Sequence, residues 1–277
     1  MAPEAPPAPP VAEFAAAWER VDTTKPHSPR VWDYLLGGTN NYPADRETGD
    51  TLLKLFPEFA QVARIQRRFL GRAIRFLAGK AEIRQFLDIG AGLPTASNTH
   101  EVAQAIAPDA RVVYVDNDPL VLLHARALLA GAPEDATSYV DADVRTPERI
   151  LEAAARVLDL RQPVGLIMLS IVGQLSDTSD DPKGIVDRLL AGLAPGSYLA
   201  MSDGTDANPA LVAAVSSYNA RAAFPYHLRS PEAIAALFEG LDLVEPGVVP
   251  TPQWRAGLDD PPPSELPSAM CGVAKKR

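Results

Sequence analysis

The sequence predicts an α/β fold in which helices cover both faces of a mostly parallel sheet. From Phe86 onward, apolar runs of strand length alternate with segments of helix length, which is typical of parallel sheets. Five helical segments open with a residue that favours the N-cap, followed by proline, which suits the first helical turn because that position needs no N–H. These pairs are Asp118-Pro119, Thr146-Pro147, Asp181-Pro182, Asn208-Pro209 and Ser230-Pro231.

Seven apolar runs are predicted to form the strands of this sheet. They cover residues 85–89, 111–115, 137–141, 164–169, 197–202, 241–245 and 268–274. A proline-rich loop that contains Pro261, Pro262 and Pro263 separates the last two runs, and no clear helix lies between them. We therefore expect the last two strands to form a hairpin-like pair at one edge of the sheet.

The residues before the sheet divide into two parts. The first ten are rich in proline and alanine and cannot bury enough apolar surface to fold, so a disordered tail and lead-in are predicted over residues 1–20. Residues 21–80 are predicted to form a helical cap, with a helix from about Phe59 to Ala78, and residues 81–277 to form the sheet domain. The arginines of that helix, at positions 64, 67, 68, 72 and 75, are expected to form a solvated face.

Composition limits the kinds of partner that this chain can have. Its 277 residues, 47% of them apolar, can bury a large core, and a net charge of −9 offers no positive surface to nucleic acid. Cys271 is the only cysteine, which excludes an internal disulfide. The sequence has no run of eighteen apolar residues and no signal peptide, which predicts a cytoplasmic protein without a membrane span. A small-molecule substrate is therefore expected, and the oligomeric state stays open.

A glycine-rich turn after the first strand indicates a binding site for a small cofactor. Gly90 and Gly92 have no Cβ, so the backbone can turn sharply there and a ligand can lie against it. The second strand ends at Asp116, where a carboxylate can accept hydrogen bonds from both hydroxyls of a ribose. The spacing of the two features predicts a cofactor that contains ribose.

The turn differs from the one that dinucleotides usually require. The position of the third glycine of the Gly-x-Gly-x-x-Gly pattern is Thr95, and Pro94 precedes it. A proline there removes a backbone N–H and stiffens the chain where a pyrophosphate needs free N–H groups. The turn therefore argues against NAD and favours a cofactor without phosphate.

Two motifs around this turn resemble those of a known family. Residues 88–95 read Asp-Ile-Gly-Ala-Gly-Leu-Pro-Thr, and residues 114–119 read Tyr-Val-Asp-Asn-Asp-Pro. Together with residues 22–38 and 41–46, they are similar to the actinobacterial S-adenosyl methyltransferase family, which belongs to the class I methyltransferases. The resemblance extends from about Val21 to Lys275. It implies a Rossmann-like fold with seven strands, the last of them antiparallel, and S-adenosylmethionine as the cofactor.

The expected cofactor site lies beyond the carboxyl ends of the strands, where ligands of open α/β sheets bind. A carboxylate at Asp88 can support the glycine turn or meet the amino group of the cofactor. The resemblance implies that Asp143 binds the adenine amino group and that Asn117 and Val144 flank the adenosine. The predicted cofactor-binding residues are Asp88, Gly90, Gly92, Asp116, Asn117, Asp143, Val144 and Ser170.

Methyl transfer from a sulfonium needs alignment more than acid–base help, since the leaving group is neutral sulfur. A base is needed only where the acceptor is a hydroxyl or a protonated amine. Each candidate base also has a structural interpretation, as a loop residue, a core aromatic or a turn former. The candidates are His27, Tyr34, Tyr42 and Asp45, with Asn41 and Gln174 expected on the substrate side.

Metal and hydrolase chemistry find no support in the sequence. The four histidines, at positions 27, 100, 124 and 227, lie far apart, and His100 and His124 are expected to be structural. No Gly-x-Ser-x-Gly turn for a serine nucleophile is present.

The segment after the fourth strand departs from the family pattern. The family usually has a histidine-containing segment there, whereas residues 169–177 read Leu-Ser-Ile-Val-Gly-Gln-Leu-Ser-Asp. Because a glutamine cannot act as a base near neutral pH, three hypotheses stay open. In the first, the chain is a methyltransferase for a small metabolite, such as one of secondary metabolism. In the second, it has a methyltransferase fold that catalyses another reaction, such as cyclisation. In the third, it is a cofactor-binding protein without catalysis.

Overall fold

The computed structural model describes residues 18–94, 97–129, 136–258, 260–262 and 265–277. Most of the proline- and alanine-rich tail, Thr95 and Pro263 lie outside the described residues. The eight strands of the described part are β1 Gln85–Ile89, β2 Arg111–Asp116, β3 Thr137–Asp141, β4 Gly165–Leu169, β5 Tyr198–Gly204, β6 Asp242–Leu243, β7 Val249–Pro250 and β8 Ala269–Lys275.

The strands form one sheet in the order β3-β2-β1-β4-β5-β8-β6, and β7 also pairs with β8. The pairs from β3 to β5 are parallel, and β8 is antiparallel to β5, β6 and β7. The predicted antiparallel pair at the edge is therefore confirmed. The run predicted at 241–245 is shorter than expected, and β7 adds a second short piece along the same edge of β8. The ladder breaks between them at Pro246, which has no backbone N–H to donate.

Five helices of the described part begin where their capping residues predict. The helices in that part are α1 Ser28–Leu35, α2 Pro43–Leu55, α3 Phe59–Gly79, α4 Thr99–Gln104, α5 Pro119–Leu129, α6 Pro147–Ala154, α7 Pro182–Ala191, α8 Pro209–Asn219 and α9 Pro231–Ala236. All five predicted cap-proline pairs stand at helix starts. The side chains of Asp181, Asn208 and Ser230 accept hydrogen bonds from backbone N–H groups of the first turn.

The core lies on both faces of the sheet because successive strand residues point to opposite sides. Phe86 and Val112 face the layer that contains α3 and α4, whereas Leu87 and Val113 face the layer that contains α6 and α7. A separate apolar cluster joins α1, α2, α3 and α8 beyond the end of the sheet. The predicted helix at 59–78 is confirmed as α3, which packs against the sheet with its C-terminal half.

The prediction of a solvated arginine face on α3 is wrong for two of its five residues. Arg64, Arg68 and Arg75 are exposed, as expected. Arg72 instead donates to the carbonyl oxygens of Trp254 and Thr251 at 2.8 Å and to the Asp260 carboxylate at 2.7 Å. The reason is that the segment after β7 folds back over α3 and covers that side of the helix.

Candidate cofactor site

A crevice of about 1360 Å³, solvent at its mouth included, opens at the carboxyl ends of β1, β2 and β4. The strand order reverses direction at β1, and such switch points are where ligands of open α/β sheets bind. Helices α1 and α3 form the opposite wall with His27, Trp32 and Gln66 among the lining residues. The crevice therefore combines backbone from the sheet with side chains from the N-terminal helices.

The two glycines of the turn have different surroundings. Both have a positive φ, 74° at Gly90 and 67° at Gly92, which side chains other than glycine rarely adopt. A Cβ on Gly90 would lie 2.8 Å from the side chain of Ile171, whereas a Cβ on Gly92 would meet no atom within 4 Å. Gly90 thus permits close packing, and Gly92 leaves open space at the surface of the crevice.

Asp116 lines the crevice at the end of β2, and its carboxylate is fixed by backbone groups. One oxygen accepts the N–H of Gly92 and the other the N–H of Asp118, each at 2.9 Å. Burial raises the pKa of Asp116 to about 6, although these N–H groups oppose the rise. Each oxygen keeps a further lone pair, so the carboxylate can still accept two hydrogen bonds from a ligand.

Asp88 lines the crevice from within β1. Its carboxylate accepts the Thr99 hydroxyl at 2.6 Å. Burial raises the pKa of Asp88 to about 6, against the effects of this hydrogen bond and of the Arg67 charge. Arg67 itself lines the crevice and donates to the carbonyl oxygen of Ser97 at 3.0 Å, which corrects its prediction as a solvated residue. Asp88 and Arg67 place a negative and a positive group in the same part of the site.

Of the four predicted bases, His27 alone lines the crevice. Its Nδ1 lies 3.1 Å from the Asp118 carboxylate, and its ring meets the edge of Phe224 at a centroid distance of 5.8 Å. Burial acts to raise the pKa of Asp118, but hydrogen bonds from His27 and Leu120 outweigh it and bring that pKa below its usual value.

The other three candidate bases and Asn41 are placed outside the crevice lining. Asp45 is completely buried and accepts the backbone N–H groups of His27 at 3.0 Å and Tyr42 at 2.8 Å. The Tyr34 hydroxyl donates to Asp50. The Asn41 amide donates to the Asp33 carboxylate at 2.8 Å. These residues hold the conformation of the N-terminal segment around α1 and α2.

The adenine end of the predicted site is built by residues that follow β2 and β3. Asn117 and Val144 line the crevice, whereas Asp143 does not. The Asn117 amide donates to Asp143 at 3.1 Å, and the other oxygen of Asp143 accepts the N–H of Arg145 at 2.8 Å. Gln174 also lines the crevice, and its Nε2 is a buried donor without a hydrogen-bond partner in the described part of the chain.

Ser170, a predicted cofactor-binding residue, lines the crevice and hydrogen-bonds to Gln66, a polar residue that the sequence analysis did not single out. Gln66 donates to the Ser170 hydroxyl at 3.0 Å and accepts the Ser202 hydroxyl at 2.5 Å. A signal was available, since Gln66 lies three residues after Ala63 and four before Leu70 in the buried stripe of α3. A polar residue in such a stripe needs a partner, which here lies at the ends of β4 and β5.

The crevice has the features that S-adenosylmethionine requires. The carboxylate of Asp116 suits a ribose diol, and Val144 offers an apolar surface for a base. The Gln174 carbonyl oxygen accepts from Arg145, next to Val144, and its Nε2 has no partner among the described residues. Asp88 and Arg67 have the charges that complement the amino and carboxylate groups of a methionine. The residues present therefore fit the cofactor.

No group of three or more histidine, cysteine, aspartate or glutamate side chains that could hold a metal occurs among the described residues. Within the same residues, no helix is long and apolar enough to cross a membrane.

The fold and the crevice define a class I methyltransferase. The model of a family described as S-adenosyl methyltransferase matches residues 15–277. This chain belongs to that family, whose cofactor is S-adenosylmethionine.

Two solved structures show the same relationship. A protein of the DUF574 family from Streptomyces avermitilis is 45% identical, with a TM-score of 0.88 over 93% of this chain and 100% of its own. A protein from Thermobifida fusca classed as a methyltransferase is 42% identical, with a TM-score of 0.86 over 92% of this chain and 97% of its own. No protein of curated function matches the chain.

Proposed function

We propose that this protein methylates a small metabolite of secondary metabolism with S-adenosylmethionine. The observation that carries this proposal is the Asp116 carboxylate, held by two N–H groups beside the open space at Gly92. The net charge of −9 argues against a nucleic acid as the acceptor.

We assign the cofactor contacts from their places in the crevice. Asp116 accepts the ribose hydroxyls, Gly92 lets the backbone approach the ligand, and Gly90 lets the same turn pack against Ile171. Asn117 and Val144 flank the adenine, and Asp143 holds the Asn117 amide. Asp88 and Arg67 bind the charged amino acid end, a role that the chemistry of their side chains supports.

The chain contributes alignment and exclusion of water. When bound, S-adenosylmethionine supplies an electrophilic methyl group whose departure leaves neutral sulfur. His27, held by Asp118 and Phe224, closes the crevice on the side of the N-terminal helices. Ser170, which accepts a hydrogen bond from Gln66 of α3, lies on the side from which an acceptor approaches. Because methyl transfer is accelerated mainly by holding the acceptor, the methyl group and the sulfur in line, these walls make the main contribution to the rate acceleration.

We also propose the division of labour between the two parts of the chain. Residues 21–80 act as a cap that shapes the acceptor side, and residues 81–277 bind the cofactor. Ser28, Trp32 and Gln66 of the cap lie on the crevice wall opposite the strands, which supports this division.

Calorimetric titration with S-adenosylmethionine and S-adenosylhomocysteine, with NAD as the negative control, tests the site. We expect both adenosyl ligands to bind and NAD to give no signal. Asp116→Ala removes two charge-assisted hydrogen bonds to the ribose and should weaken binding by about a hundredfold or more. Asp141→Ala is the matched control, since Asp141 pairs with Asp116 across the β2–β3 ladder and is bonded to exposed Arg20.

Unchanged binding by Asp116→Ala would refute the assigned site. If the native protein binds both ligands but methylates nothing in a metabolite extract, a role in binding without catalysis replaces the proposal. If it converts a metabolite without consuming S-adenosylmethionine, the fold serves another reaction, which the departure at residues 169–177 would then explain.

A further inference from the structure

A second cavity adjoins the crevice on the side of the N-terminal helices. The space there, with the open solvent at its mouth counted in, is about 570 Å³, and Ser28, Trp32, Gln66 and Ser170 line both spaces. Much of the rest of its wall is apolar and comes from α1, α2, α3 and α8, including Val31, Leu35, Leu52, Phe59, Leu211 and Val215. The two spaces thus meet at the polar chain of Gln66 and Ser170.

Tyr226 brings a hydroxyl group to this apolar cavity. The hydroxyl donates to the carboxylate of Asp203 and accepts the N–H of Gly204 at 3.2 Å. The ring of Tyr226 lies against Gly173, where a Cβ would approach it to 2.3 Å. His227 N–H also donates to the Gly173 carbonyl oxygen at 2.7 Å. The segment at 169–177 that departs from the family pattern therefore makes room for Tyr226.

Asp203 behind Tyr226 is a buried carboxylate with unused capacity. It is 1% exposed, and its Oδ2 has no hydrogen-bond partner in the described part of the chain. Burial raises its pKa to about 6, although Tyr226, the N–H of Gly204 and the Arg229 charge oppose the rise. Arg229 is itself engaged with Asp177 and with the carbonyl oxygens of Val172 and Leu175. Asp203 can therefore take up a proton through Tyr226.

We propose that the second cavity binds the methyl acceptor, an apolar aromatic molecule with one phenolic hydroxyl, and that Tyr226 and Asp203 remove the hydroxyl proton. This inference rests on the proposed function and names the substrate class of the same site. An apolar wall favours an aromatic body, since burying its surface is favourable. A protonated amine would lose its hydration there without a charged partner, and an alkyl alcohol is too weak an acid for a carboxylate base.

The proton balance of the reaction is simple. The hydroxyl proton of the acceptor moves to the Tyr226 oxygen while the phenolic proton of Tyr226 moves to Asp203. The acceptor oxygen then forms the bond to the methyl carbon as the bond from that carbon to sulfur breaks. Asp203 later releases its proton to water. Tyr226 touches the substrate, and Asp203 acts through it.

The test uses 2-naphthol as the probe, because its fluorescence reports binding and its methyl ether is a matched ligand without the hydroxyl proton. The native protein, saturated with S-adenosylhomocysteine, is titrated with 2-naphthol and with its methyl ether. Val215→Phe fills the cavity, and Val212→Phe is the matched control, since Val212 is exposed on the same helix. We expect Val215→Phe to weaken binding of 2-naphthol by at least about tenfold and Val212→Phe to leave it unchanged.

Tyr226→Phe keeps the ring but removes the hydroxyl, and Asp203→Asn removes the proton acceptor. We expect both variants to bind 2-naphthol at least about tenfold more weakly than the native protein, because its hydroxyl loses the Tyr226–Asp203 pair, and to retain native binding of the methyl ether. Affinity for S-adenosylhomocysteine serves as the control for folding in every variant.

Normal binding of 2-naphthol by Val215→Phe would overturn the cavity assignment, and normal binding of 2-naphthol by both Tyr226→Phe and Asp203→Asn would overturn the proton path. Failure of the native protein to bind 2-naphthol while it binds S-adenosylhomocysteine would overturn the aromatic acceptor alone. Failure to bind S-adenosylhomocysteine would instead refute the proposed function.

Discussion

Gly90 and Gly92 lie two residues apart in one turn, yet the structure gives them separate tasks. Gly90 has a positive φ and the side chain of Ile171 against its Cα, so its missing Cβ serves the packing of the protein. Gly92 has a similar φ but faces open space, so its missing Cβ serves the ligand. Substitution at the two positions should therefore separate stability from binding.

We expect Gly90→Ala to destabilise the fold more than Gly92→Ala. Both variants incur the cost of a left-handed conformation, about 1 kcal/mol, and Gly90→Ala adds overpacking of about 1 to 3 kcal/mol. Gly92→Ala should weaken S-adenosylhomocysteine binding while its melting temperature stays closer to the native value. Thermal unfolding and calorimetry measure the two effects, and equal melting temperatures of the two variants would contradict this assignment.

At the scale of elements, α3 joins the sheet to the segment that follows β7. Arg72 makes this connection with three hydrogen bonds, two to backbone carbonyl oxygens and one to Asp260, from a side chain that is 12% exposed. Arg75, one turn later, is exposed.

Arg72→Met should lower the free energy of unfolding by about 2 to 4 kcal/mol, because it leaves buried acceptors without a donor. Arg75→Met makes the same change of helix propensity and the same loss of charge at an exposed position of the same helix, so it is the control for both effects. It should change the free energy of unfolding by less than about 0.5 kcal/mol. Urea unfolding compares the two, and similar losses would show that the connection contributes little.

The elements also show what local sequence determines. The five cap-proline pairs predict helix starts because capping depends on a few adjacent residues. The exposure of Arg67 and Arg72 was not predictable in that way, since it depends on segments far along the chain that cover α3. Asp203 had a visible signal, an acid at the carboxyl end of a strand, but Tyr226 comes from a loop that no pattern connects to β5.

At the scale of the molecule, buried carboxyl groups connect stability to pH. The pKa values of Asp88, Asp116 and Asp203 are each raised to about 6, mainly by burial. Between about pH 4 and pH 6 the folded state therefore holds protons that the unfolded state has released. The stability that these three carboxyl groups contribute is complete below pH 4 and is lost as the pH rises through 6.

Asp88→Asn should remove part of this decline, because asparagine can accept the Thr99 hydroxyl but does not titrate. Between pH 4 and pH 7, the free energy of unfolding of the variant should fall by up to about 3 kcal/mol less than that of the native protein, since the pKa of Asp88 is shifted by about two units. Urea unfolding at several pH values measures it, with Asp187→Asn, an exposed carboxylate, as the control. A variant curve parallel to the native one would contradict the role of Asp88.

The position of β8 affects how the chain is made. All seven residues of β5 pair with β8, but β5 ends at residue 204 and β8 begins at residue 269. During translation, β5 therefore leaves the ribosome well before its partner, and its apolar edge is unprotected while the intervening segment is synthesised. An unpaired edge is a template for other strands, so the interval between the synthesis of β5 and that of β8 is when the nascent chain is most exposed to aggregation.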